Sequence, residues 1–200
     1  MNFLSHIKSR SAETLAEVLI ALTVLAVGTS GSMLLVSMST RATADMEARL
    51  TAYNLAREGV EAVRSIRDTN WLRFPGDRED CWDTYNLTNP NDCVLTGNTL
   101  GASGIVQTYT VEPDLISNNE FFKWIVTLNP VDTQLYEFTI GNVTLYTHDT
   151  NGTATAFSRE IEIDRTAGLA DEMIVNATVT WLGRNNTPQS VTFTDQLINY

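Results

Sequence analysis

Val18 to Met38 reads VLIALTVLAVGTSGSMLLVSM, 21 residues without a single charge. A hydrocarbon core about 30 Å thick is crossed by about 20 helical residues, so this run has the length of a transmembrane helix. A buried helix of a soluble domain is the competing reading. Ahead of the run, Met1 to Ala12 (MNFLSHIKSRSA) is polar, carries Lys8 and Arg10 and contains no acid, the composition of a leader peptide. Between leader and run stands Glu17, flanked by Leu15-Ala16 and Val18-Leu19-Ile20. An acidic side chain at the bilayer centre costs on the order of 2.5 to 3.5 kcal/mol and less near an end, so Glu17 either snorkels to the interface or needs a counter-charge.

An ordinary secretory signal would end at a small-residue site, and Ala42-Thr43-Ala44 offers one that would release a chain starting at Asp45. Two features argue against it. The apolar core exceeds the usual 7 to 15 residues, about the limit for such signals, and the site lies inside a continuing helical pattern.

The segment Thr14-Leu15-Ala16-Glu17-Val18-Leu19-Ile20-Ala21-Leu22, behind a short basic leader and a small residue, resembles the type IV prepilin signal. The resemblance implies that a membrane peptidase cuts after Ala12 and methylates the new amino terminus at Glu13. Gly is more usual before the cut than Ala12, and an aromatic or aliphatic residue is more usual after it than Glu13. A freed amine titrates near about 7.7 to 8.0 and is largely cationic at neutral pH. Glu17 of the same or a neighbouring subunit is its natural counterion in low dielectric, which would set the axial register of a helix bundle.

Beyond the membrane run, Ala48, Ala52, Leu55, Gly59, Val63 and Ile66 recur at helical spacing, and Asp45–Arg49, Arg57–Glu61 and Arg64–Asp68 are candidate i,i+4 pairs. No proline precedes Pro75. The pattern predicts one helix over 13–70, roughly 80 Å long at 1.5 Å per residue, spanning the membrane at 18–38 and covering a head with its upper half. Gly28-Thr29-Ser30-Gly31 interrupts the lower half with poor helix formers, a site of either close helix approach or local unwinding. The stretch Leu55 to Arg64 (LAREGVEAVR), followed by Ile66-Arg67-Asp68-Thr69-Asn70-Trp71, also resembles the end of the long helix in bacterial pilin-like proteins.

Residues 71–104 carry turn chemistry, and the chain's only cysteines, Cys81 and Cys93, bracket a 13-residue loop. A disulfide there would stabilise by about 3 kcal/mol in the chain-entropy model and implies an oxidising compartment. Free thiols are the alternative; a metal site lacks CxxC spacing or a nearby His. From 105 to 200, β-branched and aromatic runs alternate with turn signals: IVQTYTV, FFKWIVTL, LYEFTI, NVTLYTH, AFSREIEID, MIVNATVTWLG and SVTFTDQLINY. Connections this short suit antiparallel neighbours. The fold class expected is therefore α+β, a long N-terminal helix against an antiparallel sheet head, the pilin-like arrangement that the leader's resemblance also implies.

Catalytic motifs are not evident. His148 sits beside a turn without a GxSxG serine, and neither a phosphate loop, a dinucleotide fingerprint nor HExxH occurs. Asp149-Thr150-Asn151-Gly152-Thr153 presents alternating oxygens but not the rest of an EF-hand, so a plain turn is the expectation. Sequons at Asn86, Asn142, Asn151, Asn176 and Asn185 are of the number that chance supplies in an Asn/Thr-rich head. With 13 Lys and Arg against 24 Asp and Glu, the net charge is −11, and −13 once Lys8 and Arg10 leave with the leader. Clustered cations for nucleic acid are missing.

The expectation is a non-enzymatic, cofactor-free structural subunit of a type IV pilus-like or type II secretion pseudopilus filament. It would stand as a single-pass protein of the inner membrane with its head outside, later in an extracellular filament. Its partners would be copies of itself or other pilin-like subunits, the prepilin peptidase, the inner-membrane assembly machinery and the membrane. The alternative is a secreted or membrane-anchored β-rich ligand-binding domain that uses the helix only for targeting.

Overall fold

The computed structural model describes residues 5–85, 93, 98–114, 124–166 and 171–199, the side chains of 5–13 and 185 excepted. The leader start, the Asn86 sequon, the turn residues 89–92 and Phe121 to Lys123 lie outside the described residues. The chain divides into two compact units, Met1–Glu47 and Ala48–Tyr200.

Helix α1, Ser5–Arg73, passes through both units, so it begins earlier than the expected start at Glu13 and ends three residues later than expected. Its stop is local: Pro75 cannot continue the ladder, and the Phe74 N–H makes the last helical bond to Asn70 O at 2.8 Å. Among the described side chains of the first unit none is buried. In the second, Ala52, Leu55, Ala56, Val60, Val63 and Ile66 are buried, the expected stripe widened by Ala56 and Val60.

The head sheet is antiparallel throughout. After the short helix α2 (Arg78–Cys81), β1 (Thr84–Tyr85) and β2 (Asn98–Thr99) form a two-stranded ladder within the region expected to be loop. The main sheet comprises β3 (Val106–Pro113), β4 (Trp124–Leu128), β5 (Gln134–Ile140), β6 (Val143–Thr147), β7 (Thr153–Asp164), β8 (Glu172–Leu182) and β9 (Pro188–Ile198). The central strand is β7. Its C-terminal half pairs with β3, its N-terminal half with β5, and its other edge with β8, which carries β9. All seven apolar runs from Ile105 onward therefore become strands.

Period-2 alternation orients the sheet. Met173, Val175, Ala177 and Val179 of β8 and Ile161 and Ile163 of β7 are buried in one cluster with Val60 and Val63, whereas Glu160, Glu162, Asn176 and Thr178 lie on the other face. Gly59 lets the helix lie close against the sheet. A Cβ there would stand 3.2 Å from both Ala177 Cβ and Ile161 Cδ1.

Candidate functional site

In the first unit the most apolar 18-residue window of α1 has a mean hydropathy of 2.1 and none of it is buried within the molecule. Leu19, Val27, Met33 and Leu35 are 55 to 76% exposed. Apolar area on this scale is unstable in water, and the helix is long and apolar enough to cross a membrane. Three of its hydroxyls are internally satisfied: Thr23 donates to Ile20 O (2.8 Å), Thr29 to Leu25 O (2.9 Å) and Ser32 to Gly28 O (2.9 Å). A hydrogen bond back to the preceding turn is how a hydroxyl avoids presenting a bare dipole to lipid. The backbone is helical through Gly28 and Gly31, and a Cβ on either would meet nothing within 4 Å, so packing inside this chain does not explain them.

Glu17 is exposed within this surface and has no ion pair or hydrogen bond among the described residues. Ala12 and Glu13 lie on helical backbone, their side chains outside the description.

At the other end of α1, the motif Ile66-Arg67-Asp68-Thr69-Asn70-Trp71 is an attachment point. The Arg67 guanidinium sits 4.8 Å from the Trp71 ring centroid and donates to Ile198 O at 3.3 Å, while Trp71 Nε1 donates to Asn199 Oδ1 at 3.1 Å. Buried Asn70 donates to Thr84 O (2.8 Å) and Trp82 O (3.3 Å). The helix end thus holds both the last strand and the loop after the helix. Cys81 and Cys93 are joined by a disulfide, with Cα atoms 5.6 Å apart. Beside it Arg165 Nη1 meets Asp83 Oδ2 at 2.5 Å and Gly101 O at 3.1 Å, with its guanidinium 5.1 Å from the Trp82 ring centroid. Burial pushes the Asp83 carboxyl up, and Arg165 offsets part of that.

The expected i,i+4 ion pairs do not form among the described residues, and the expected members Glu61, Arg64 and Asp68 pair elsewhere. Arg64 pairs with Glu61 at 2.6 Å and with Asp195 of β9, and Arg67 pairs with Asp68 at 2.9 Å. A sheet lying along one flank of the helix recruits the guanidinium groups across the interface. Sequence reading also missed Arg159, whose fully buried side chain donates to Glu58 Oε1 (3.1 Å), Leu55 O (3.2 Å) and Val111 O (2.9 Å). A signal was present: in AFSREIEID, Arg159 falls on the same alternate positions as Ile161 and Ile163, a cation on the apolar face.

A cleft of about 310 Å³ is lined by Glu112, Pro113, Ile125, Thr147, His148, Asp149 and Thr150. Glu112 Oε2 accepts from Thr147 Oγ1 (2.7 Å) and from the His148 N–H (2.8 Å). His148 Nδ1 lies 3.0 Å from Gln134 O, which selects the Nδ1–H tautomer and leaves Nε2 buried without a partner among the described residues. Burial, then Arg159, holds this imidazole well below its ordinary range, at about 4, with Glu112 opposing. It is a neutral, structural side chain, not the solvated turn histidine that its sequence position suggests.

Asp149 Oδ1 is occupied by Asn151, both N–H (3.0 Å) and Nδ2 (2.7 Å), the hydrogen bonds of a closed turn. Among the described residues no three His, Cys, Asp or Glu side chains converge on a metal position.

Comparison with protein-family models, with curated proteins and with solved structures finds no match for this chain.

Proposed function

We propose that this chain is a structural subunit of a type IV pilus-like or pseudopilus filament, trimmed after Ala12, methylated at Glu13 and assembled through the exposed half of α1. The observation that carries the reading is one apolar helical surface, unburied by its own molecule, with a single carboxylate, Glu17, set into it. A lipid anchor alone accounts for the apolar surface. It gives the acid no role, and within lipid a carboxylate that does not snorkel to the interface needs a cation. The amine released four residues earlier supplies that cation, and in a parallel bundle it comes equally from a neighbouring copy. The remaining partners are the peptidase that cuts, the inner-membrane machinery that extracts the subunit, and other pilin-like subunits. The head stands on the oxidising side, in keeping with the Cys81–Cys93 bond.

Two measurements test this. The intact mass of protein from membranes is expected to match a chain beginning at methylated Glu13; a chain beginning at Asp45 would instead indicate a released domain, and an intact Met1 a simple anchor. Glu17→Val is expected to leave membrane insertion unchanged and to abolish assembly, and normal filaments from that variant would overturn the proposal.

A further inference from the structure

The second unit carries its charges unevenly. From Met173 to Thr194, through β8, the turn after it and most of β9, the one charged residue is Arg184, at the tip of the hairpin. Thr153 to Ser158, the start of β7, has none. The acids of these three strands, Glu160, Glu162, Asp164, Glu172 and Asp195, all stand to the other side of the Phe157–Trp181 pair. Contacts with the helix fix which end is the neutral one. Tyr53 packs on Phe193 with ring centroids 5.7 Å apart, Arg64 meets Asp195, and Arg67 donates to Ile198 O. Helix and strand rise together, so the start of β9 and the turn before it lie at the Ala48 end of the unit. This end is also aromatic and apolar. Phe157 and Trp181 stack with centroids 6.2 Å apart, and Leu182 and Leu50, the latter one turn before Tyr53, are 61% and 62% exposed. Arg49 and Arg184 are exposed, and neither has an ion pair among the described residues.

We propose that this end of the second unit, led by the β8–β9 hairpin, docks on the phospholipid headgroup layer of the membrane that α1 crosses. Chain connection is the first argument for this occupant. Ala48 follows Met38, the last residue of the apolar run, by ten residues. Even fully extended, that stretch holds the end within about 35 Å of the bilayer, and as helix within about 15 Å.

Charge is the second argument. A surface containing anionic lipid repels carboxylates and attracts cations. In a chain of net charge −11, the acids of β7, β8 and β9 are withdrawn from this end and Arg184 leads it. On the neighbouring stretch of helix Arg41, Asp45, Glu47 and Arg49 cancel, and Glu137 of β5, opposite Thr153, accepts from Tyr146 Oη at 3.1 Å. The side-chain types match the interface as well, where tryptophan and tyrosine rings settle at headgroup level and arginine reaches the phosphates with its stem on apolar surface. The proposal rests on α1 crossing a membrane and on no other part of the filament reading.

The test uses the full chain reconstituted in phosphatidylcholine vesicles with and without phosphatidylglycerol. An environment-sensitive fluorophore is placed on one added cysteine, Cys81 and Cys93 being bonded to each other. Leu25→Cys reports the span, Leu182→Cys the hairpin, and Thr166→Cys, just past the far end of β7, the opposite end of the unit. Lipid nitroxides near the headgroups are expected to quench the Leu182 label several-fold more than the Thr166 label. Arg184→Gln is expected to lower the ratio of docked to free hairpin about five-fold in the vesicles containing phosphatidylglycerol, the effect of one cation at an anionic surface. Equal quenching of the Leu182 and Thr166 labels, with the Leu25 label quenched by deep nitroxides, would overturn the docking and leave the span standing. An unquenched Leu25 label would remove the span and the docking with it. A Leu182 label shielded from water yet insensitive to the nitroxides, increasingly so at high protein-to-lipid ratio, would assign the surface to another copy of the chain and overturn the proposal.

Discussion

Gly101 and His148 show what one position decides in the head. Gly101 has a φ of +72°, and a Cβ there would stand 2.8 Å from Ile163 Cγ2 and 3.0 Å from Arg165 Cδ. Left-handed backbone and overpacking both penalise a side chain, so Gly101→Ala is expected to destabilise by about 2 to 4 kcal/mol, measured by denaturant unfolding. An unchanged midpoint would mean that the loop carrying Gly101 shifts freely. His148 sets a pH dependence whose sign follows from its depressed value. Between its ordinary value of about 6.5 and the folded value of about 4, the unfolded chain binds more protons than the folded one. This contribution is complete above that window and disappears as pH falls through it, a loss of about 3 kcal/mol at most. Unfolding midpoints at pH 7 and pH 4.5 are expected to differ less in His148→Asn than in the parent chain.

At the scale of elements, the disulfide and the end of α1 divide the work of holding the loop after the helix. The bond closes the loop, but Trp82, Asp83 and Thr84 are held separately by Asn70 and Arg165. Reduction is therefore expected to remove about 3 kcal/mol and lower the melting temperature by about 5 to 10 °C, while the sheet signature in circular dichroism persists below the transition. Collapse of the sheet on reduction would show that the loop is a folding requirement. The elements differ in how far pattern alone reveals them. The strands of the head are legible because each is a β-branched run alternating polar and apolar and bounded by turn residues. β1 and β2 are not, since a two-residue ladder, here Thr84 opposite Thr99, has no period to detect.

At the scale of the whole molecule, every buried apolar residue among those described lies at Ala52 or beyond. The described residues of the first unit thus present exposed apolar surface on a helix long and apolar enough to cross a membrane. A chain beginning at Ala48 is expected to fold with a melting temperature within about 5 °C of the parent's head transition, followed by far-ultraviolet dichroism or calorimetry. Loss of cooperative unfolding would show that the apolar half of α1 is needed to nucleate the rest.

Sequence alone determined that α1 is long, that its lower half is too apolar for water, that Glu17 is out of place there, and that an antiparallel sheet follows. Those features are written in local period and composition, which need no partner to be read. It also marked Cys81 and Cys93 as a candidate bond and the stripe from Ala52 to Ile66 as a covered face. Tertiary structure decided which cations are spent inside the head. Arg159 and Arg165 find acceptors far away in sequence, on Leu55, Glu58, Val111, Asp83 and Gly101. It likewise turned Arg64 toward Asp195 of β9. Such outcomes depend on which surfaces meet after the chain has folded back, and burial makes a distant hydrogen-bond acceptor worth more to a guanidinium than an exposed neighbour on its own helix.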